Sequence, residues 1–207
     1  GICVTDDDNL ALRMKMIRNH GENIVEPLKI EDITNLIGFN FRLTEIQAAI
    51  GLEQLKRIDE HVGRREILAR SLSEGIEGLE GLIPPIVRSG CRHVYYVWAL
   101  RYDEKDVGVE RSLFCKALAA EGFPHSQGYV EPLYMLPVFQ KKIAIGKDGF
   151  PFNNASPEVR YDKGNCPVCE RLHEKELILF EPCAYDVEQE QIKLLVKAVR
   201  KVYDRRE

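Results

Sequence analysis

Gly38-Phe39-Asn40-Phe41-Arg42-Leu43-Thr44-Glu45-Ile46-Gln47-Ala48-Ala49-Ile50 sets a loop bearing Gly, Asn and Arg against the start of a helix. Thr44 with Gln47 three residues on is a capping-box pattern, in which hydroxyl and amide each satisfy one orphan backbone N–H. Backbone donors at a helix start, with Asn40 and Arg42 just ahead of them, suit an anion such as phosphate. The same residues also describe an ordinary capped helix behind a surface loop, where the Arg pairs with a carboxylate.

Working outward from Thr44, apolar residues at Ile46, Ala49, Ile50, Leu55, Ile58, Val62, Ile67 and Leu68 keep three-to-four spacing. This predicts one helix over residues 44–75, about 45 Å long at 1.5 Å per residue. So long a helix links two domains or packs on a second subunit, with Gly63 as the place to bend. The domain boundary is set along it near residue 58, giving parts 1–58 and 59–207.

Upstream, residues 1–7 read as an apolar strand ending in an acidic turn, which needs neighbours to pair with. With no initiator Met, the chain reads as the C-terminal piece of a longer protein. Asp8 or Asn9 caps a helix running to Arg18, and Asn19-His20-Gly21 closes it with a left-handed Gly. Residues 22–43 read as a loop. Downstream, residues 79–85 form a linker and residues 93–102 a β-branched, aromatic strand. A helix over 109–121, a short strand over 123–129 and an irregular stretch over 130–163 follow. A short helix over 166–173 and a strand over 177–180 come next. Asp186, with Gln189 at the third position, caps a last amphipathic helix. This alternation predicts a compact α/β layer.

With 44% hydrophobic and 30% charged residues, the chain has the composition of a globular protein with a substantial core. A net charge of −4 argues against nucleic acid as main partner. No apolar run reaches the roughly 20 residues a bilayer span needs. Six cysteines without small-domain spacing read as reduced thiols in a cytoplasmic protein.

Several separated blocks resemble, in order, the C-terminal portion of the DegT/DnrJ/EryC1/StrS family of pyridoxal-phosphate sugar aminotransferases. They are residues 1–7, Arg18-Asn19-His20-Gly21, residues 38–49 (with Phe39 and Phe41 where the family usually has Tyr), residues 129–134 and residues 166–172. The resemblance implies the C-terminal part of a type I aminotransferase fold: residues 1–58 the end of the large cofactor domain, a long linking helix, and a small α/β domain over 59–207. It implies a homodimer with shared active sites, in which Asn40 reaches the partner's cofactor phosphate and Arg42 lies near the same site. The implied reaction moves an amino group from glutamate to a nucleotide-linked keto-sugar.

By the same resemblance the Schiff-base lysine lies upstream, so the chain holds no catalytic lysine and is expected to be inactive alone. Lys15, Lys29 and Lys56 read as solvated charge. His20, Tyr129, Glu131 and Tyr134 are candidate substrate contacts, and His125 and His173 read as ordinary histidines. Cys166-Pro167-Val168-Cys169 has half the spacing of a zinc site or a dithiol pair. A set of Cys166, Cys169, His173 and Cys183 is conceivable, but the family usually has a small residue at 169. Cys169 therefore reads as a small apolar substitution, and no metal is expected. Alternative readings are a dehydratase-type or otherwise altered relative, and a non-catalytic dimerisation or sugar-sensing module.

Overall fold

The computed structural model describes residues 1–21, 28–33, 36–156, 158–184 and 187–206. The chain divides into two compact units, Gly1–Ile58 and Asp59–Glu207.

In the first unit, residues 1–5 are not paired into a strand, contrary to the sequence expectation, and Ile2 and Val4 are exposed. Helix α1 spans Asp8–Arg18 and is capped by Asp7, whose carboxylate accepts from the Leu10 N–H at 3.0 Å. The cap is thus one residue earlier than the pattern suggests. Gly21 is left-handed as expected, with φ +78°, and His20 before it is left-handed too, with φ +63°. Helix α2 spans Glu45–Leu55, and its capping box forms as read: Gln47 N–H donates to Thr44 Oγ1 at 3.3 Å, and Thr44 N–H to Gln47 Oε1 at 3.0 Å.

The long helix is two helices. Backbone bonds tighten at Lys56 and Arg57, where Arg57 N–H donates to the Gln54 carbonyl three residues back, and α3 then runs over Ile58–Gly75. No Gly or Pro marks the break, so the apolar spacing continues through it. Gly63, the expected bend, lies inside α3.

The second unit holds β1 (Leu82–Ile83), β2 (Trp98–Tyr102), α4 (Glu104–Val107), α5 (Arg111–Ala120) and β3 (Ser126–Gln127). It continues with α6 (a single turn, Pro137–Gln140), α7 (Pro167–Arg171), β4 (Leu177–Phe180) and α8 (Gln189–Asp204). The four strands form one sheet in the order β1-β2-β4-β3, antiparallel at every pairing. The expected linker over 79–85 therefore contributes a sheet edge, and the aromatic strand is only its last five residues. Tyr95 has φ +47°, which ends extended backbone before β2 begins.

Trp98, Leu100 and Tyr102 alternate into the core; Trp98 and Leu100 pair across with Phe180 and Ile178 on β4, and Tyr102 with Leu82 on β1. Against this face pack Leu68, Ala69 and Leu72 of α3, Phe114 and Leu118 of α5, and Ile192, Val199 and Val202 of α8. The buried polar tips are satisfied. Trp98 Nε1–H donates to Ser73 Oγ at 2.9 Å, Ser73 donates to the Ala69 carbonyl at 2.8 Å, and Tyr102 O–H to the Val109 carbonyl at 2.7 Å. The capping box of α8 lies at Glu188 and Gln191 rather than two residues earlier, and Asp186 lies outside the described residues. Among the described residues no helix is long and apolar enough to cross a membrane.

Candidate functional site

Gly38 makes the first site possible by letting two backbone segments touch. A Cβ there would lie 2.0 Å from the His20 carbonyl carbon and 2.6 Å from the Gly21 nitrogen. Around this crossing Phe39 N–H donates to the Ile17 carbonyl at 2.7 Å, His20 N–H to the Phe39 carbonyl at 3.0 Å, and Phe41 N–H to the Arg18 carbonyl at 3.1 Å. Asn19 and Asn40 are bridged partners, and the Phe39 and Phe41 rings stack with centroids 4.9 Å apart.

The crossing brings the helix end and the loop together around one guanidinium. Arg42 donates from Nε to Asn19 Oδ1 at 3.0 Å, and from Nη1 to Asn40 Oδ1 at 3.3 Å. Its Nη1 also lies 3.1 Å from His20 Nε2. A guanidinium can only donate, so His20 Nε2 accepts and its ring proton sits on Nδ1. Three of the residues singled out by sequence thus meet, and Asn19 joins them. Asn19 stood in the quoted Arg18-Asn19-His20-Gly21 block, but without the crossing its amide had no visible partner.

Among the described residues, two donor sets stay outside this network: the Arg42 Nη2 hydrogens and the Asn40 amide hydrogens. The start of α2 is less suited to an anion than the sequence suggests. Its capping box occupies the Thr44 and Gln47 N–H groups, and Glu45 adds a negative charge in the first turn.

The second group lies in the other unit. Tyr129, Glu131, Leu133, Cys166, Cys169 and His173 border an open, mainly apolar cleft of ≈ 650 Å³. Tyr134 is not among its walls; its O–H donates to Glu170 Oε1, which also accepts from the Gly164 N–H at 2.7 Å. Glu170, only 8% exposed, carried no sequence signal of its own. Among the described residues no three His, Cys, Asp or Glu side chains converge to hold a metal ion.

The Tyr134–Glu170 contact holds the Glu170 carboxyl below its ordinary value of 4.5, helped by the Gly164 N–H. Burial first, and the carboxylate second, push Tyr134 from 10.0 up to about 12. The carboxylate's contribution is therefore complete above pH 4.5 and is lost as pH falls through its lowered value. That of the phenol is complete below pH 10.0 and is lost as pH rises towards about 12. Tyr134→Phe removes the largest cause of the carboxyl shift. Acid unfolding followed by circular dichroism will begin at a higher pH in this variant, and an unchanged acid midpoint would refute the contact.

A family model described as the DegT/DnrJ/EryC1/StrS aminotransferase family matches residues 1–200. The chain belongs to this family. Among its DegT/DnrJ/EryC1/StrS relatives, the spore coat polysaccharide biosynthesis protein SpsC of Bacillus subtilis is 30% identical over 157 residues, covering 73% of this chain and 40% of that protein. GDP-perosamine synthase of Caulobacter vibrioides is 33% identical over 141 residues, 67% of this chain and 36% of that protein. The S. venezuelae protein DesV, solved in complex with a ketimine intermediate, superposes with a TM-score of 0.69 at 25% identity, covering 98% of this chain and 46% of that one. The chain thus spans less than half the length of these relatives.

Proposed function

We propose that this chain is the C-terminal part of a pyridoxal-phosphate-dependent aminotransferase that transfers an amino group from glutamate to a nucleotide-linked keto-sugar. Membership of the family and the GDP-sugar name of one relative support this reading. The observation that carries it is the Asn19–His20–Asn40–Arg42 network. When bound, the cofactor supplies an electron sink for carbanion chemistry. The residues present fit its phosphate. Asn40 would donate its amide hydrogens to a phosphate oxygen, and Arg42 would add a full positive charge through Nη2. Asn19 and His20 hold the guanidinium in place beforehand, so less side-chain freedom is lost on binding.

Residues 1–58 then form the end of the large cofactor domain and residues 59–207 the small domain, with Tyr129 and Glu131 facing substrate and Tyr134 fixing their loop through Glu170. Lys15, Lys29 and Lys56 are all exposed; on this reading the cofactor's covalent lysine comes from another part of the protein, and this chain is inactive by itself. A homodimer with shared sites is supported by α2. No residue of this apolar helix is buried, and Ile46, Ile50, Leu52 and Leu55 join exposed Ile37, Phe41 and Leu43 in an apolar surface that calls for a partner.

Subunit mixing in the full-length enzyme tests this. Asn40→Ala will weaken pyridoxal phosphate binding roughly tenfold, the value of one hydrogen bond to a charged group. Mixed dimers of Asn40→Ala subunits with subunits lacking the cofactor lysine will regain one tight site per dimer. If mixing restores no tight site, Asn40 does not act across the interface.

A further inference from the structure

We propose that Cys166 and Cys169 form a redox-active dithiol that closes to an intramolecular disulfide by exchange with a low-molecular-weight disulfide. The sequence reading made Cys169 a small apolar filler, yet both thiols are exposed, and both stand in the wall of the same cleft.

Cys166 is the N-cap residue of α7 and Cys169 its third helical residue. The Glu170 N–H donates to the Cys166 carbonyl at 3.0 Å, so Cys166 is wound into the first turn. Cys166 itself has the non-helical φ −129° and ψ 72° of an N-cap, but the closed turn keeps residues three apart at about 5–6 Å between Cα atoms, inside the roughly 4.4–6.8 Å span that a disulfide bridges. The turn is also anchored from outside the pair, because Glu170 fastens it to Gly164 and Tyr134.

The remaining described thiols supply the contrast. Cys3 and Cys91 are exposed but have no cysteine nearby in sequence, and Cys115 is buried in the core, where burial pushes its thiol up to about 12.

The exchange balances in two steps. One cysteine thiolate attacks the small disulfide, forming a mixed disulfide and releasing one small thiol. The second cysteine, as its thiolate, then attacks the protein-side sulfur, forming the Cys166–Cys169 bond and releasing the second small thiol. The protein loses two protons and two electrons, and the small disulfide takes both.

The test incubates the full chain in glutathione buffers of increasing oxidised fraction, quenches with acid, alkylates free thiols and maps peptides by mass spectrometry. The expected product is a peptide over 166–169 that is two hydrogens lighter and refuses alkylation. It will accumulate at an oxidised glutathione concentration roughly tenfold below that which half-modifies Cys3 or Cys91, because its second step is intramolecular. Cys169→Ala will instead leave a glutathione adduct on Cys166, with the urea midpoint unchanged. Separate adducts on Cys166 and Cys169 in the unsubstituted chain, or alkylation of both at every ratio that modifies Cys3, would overturn the proposal. None of these readouts involves the cofactor, so the result is independent of the enzyme reading above.

Discussion

Gly38→Ala will dismantle the Asn19–Arg42 network. The added methyl would stand 2.0 and 2.2 Å from the carbonyl carbon and oxygen of His20, and these are backbone atoms that cannot rotate aside. The crossing must separate, and with it go the three backbone bonds linking Ile17, Arg18 and His20 to Phe39 and Phe41. Arg42 then loses Asn19 and His20 as acceptors, and left-handed His20 loses the contacts that hold its strained backbone. Hydrogen exchange should show the amides of His20, Phe39 and Phe41 becoming unprotected, with a loss of at least about 3 kcal/mol, the range of severe backbone lesions. On the proposed function, the full-length protein's affinity for pyridoxal phosphate should fall further than in Asn40→Ala, since two donor groups are displaced instead of one. Gly51→Ala and Gly63→Ala are the controls. A Cβ at either meets nothing within 4 Å, and inside a helix the exchange stabilises by about 0.5–1 kcal/mol. Retained protection at Phe39 and Phe41 in the Gly38 variant would show that the crossing is not as close as described.

Arg111→Ala is expected to cost the second unit about 3 kcal/mol, lowering the urea midpoint without altering the sheet of the surviving folded molecules. The Arg111 guanidinium is buried beside the sheet, and it donates to three backbone carbonyls: Glu174 at 2.6 Å, Leu177 at 2.9 Å and His173 at 3.1 Å. Those carbonyls belong to a single π-helical turn, Leu172–Glu176, and to the first residue of β4. A π turn leaves carbonyl groups without the regular i+4 partner, so removing the fork takes the donor from the His173 and Glu174 carbonyls, while the Leu177 carbonyl keeps the Gly128 N–H at 2.8 Å. Arg111→Lys keeps a cation but not the planar fork, and should recover only part of the loss. A variant as stable as the parent would mean that water replaces the guanidinium.

Much of this architecture was legible because it is local. Thr44 and Gln47 specify their capping box within four residues, and Leu177–Phe180 is a short, wholly apolar run of the kind that forms a buried strand. The amphipathic stripe of α8, carrying Ile192, Val199 and Val202, likewise needs no outside partner to be recognised. The misreadings share a cause. The break at Lys56 and Arg57, the sheet edge at Leu82–Ile83 and the late start of β2 depend on what each segment packs against, and neighbouring residues carry no mark of that.

The site shows the same division. The amino-acid order alone named Asn40, Arg42 and His20 and tied them to a family, because helix ends and Gly-bearing loops have side-chain requirements written within a few positions. That Arg42 is clasped by Asn19, that Tyr134 is committed to Glu170, and that two thiols share an open wall were decided by tertiary structure. The first two join residues whose proximity exists only in the folded chain, since a hydrogen bond cannot be read from a separation of 23 or 36 residues; the thiols were close in sequence, and only their shared exposure in one wall had to be seen in the fold.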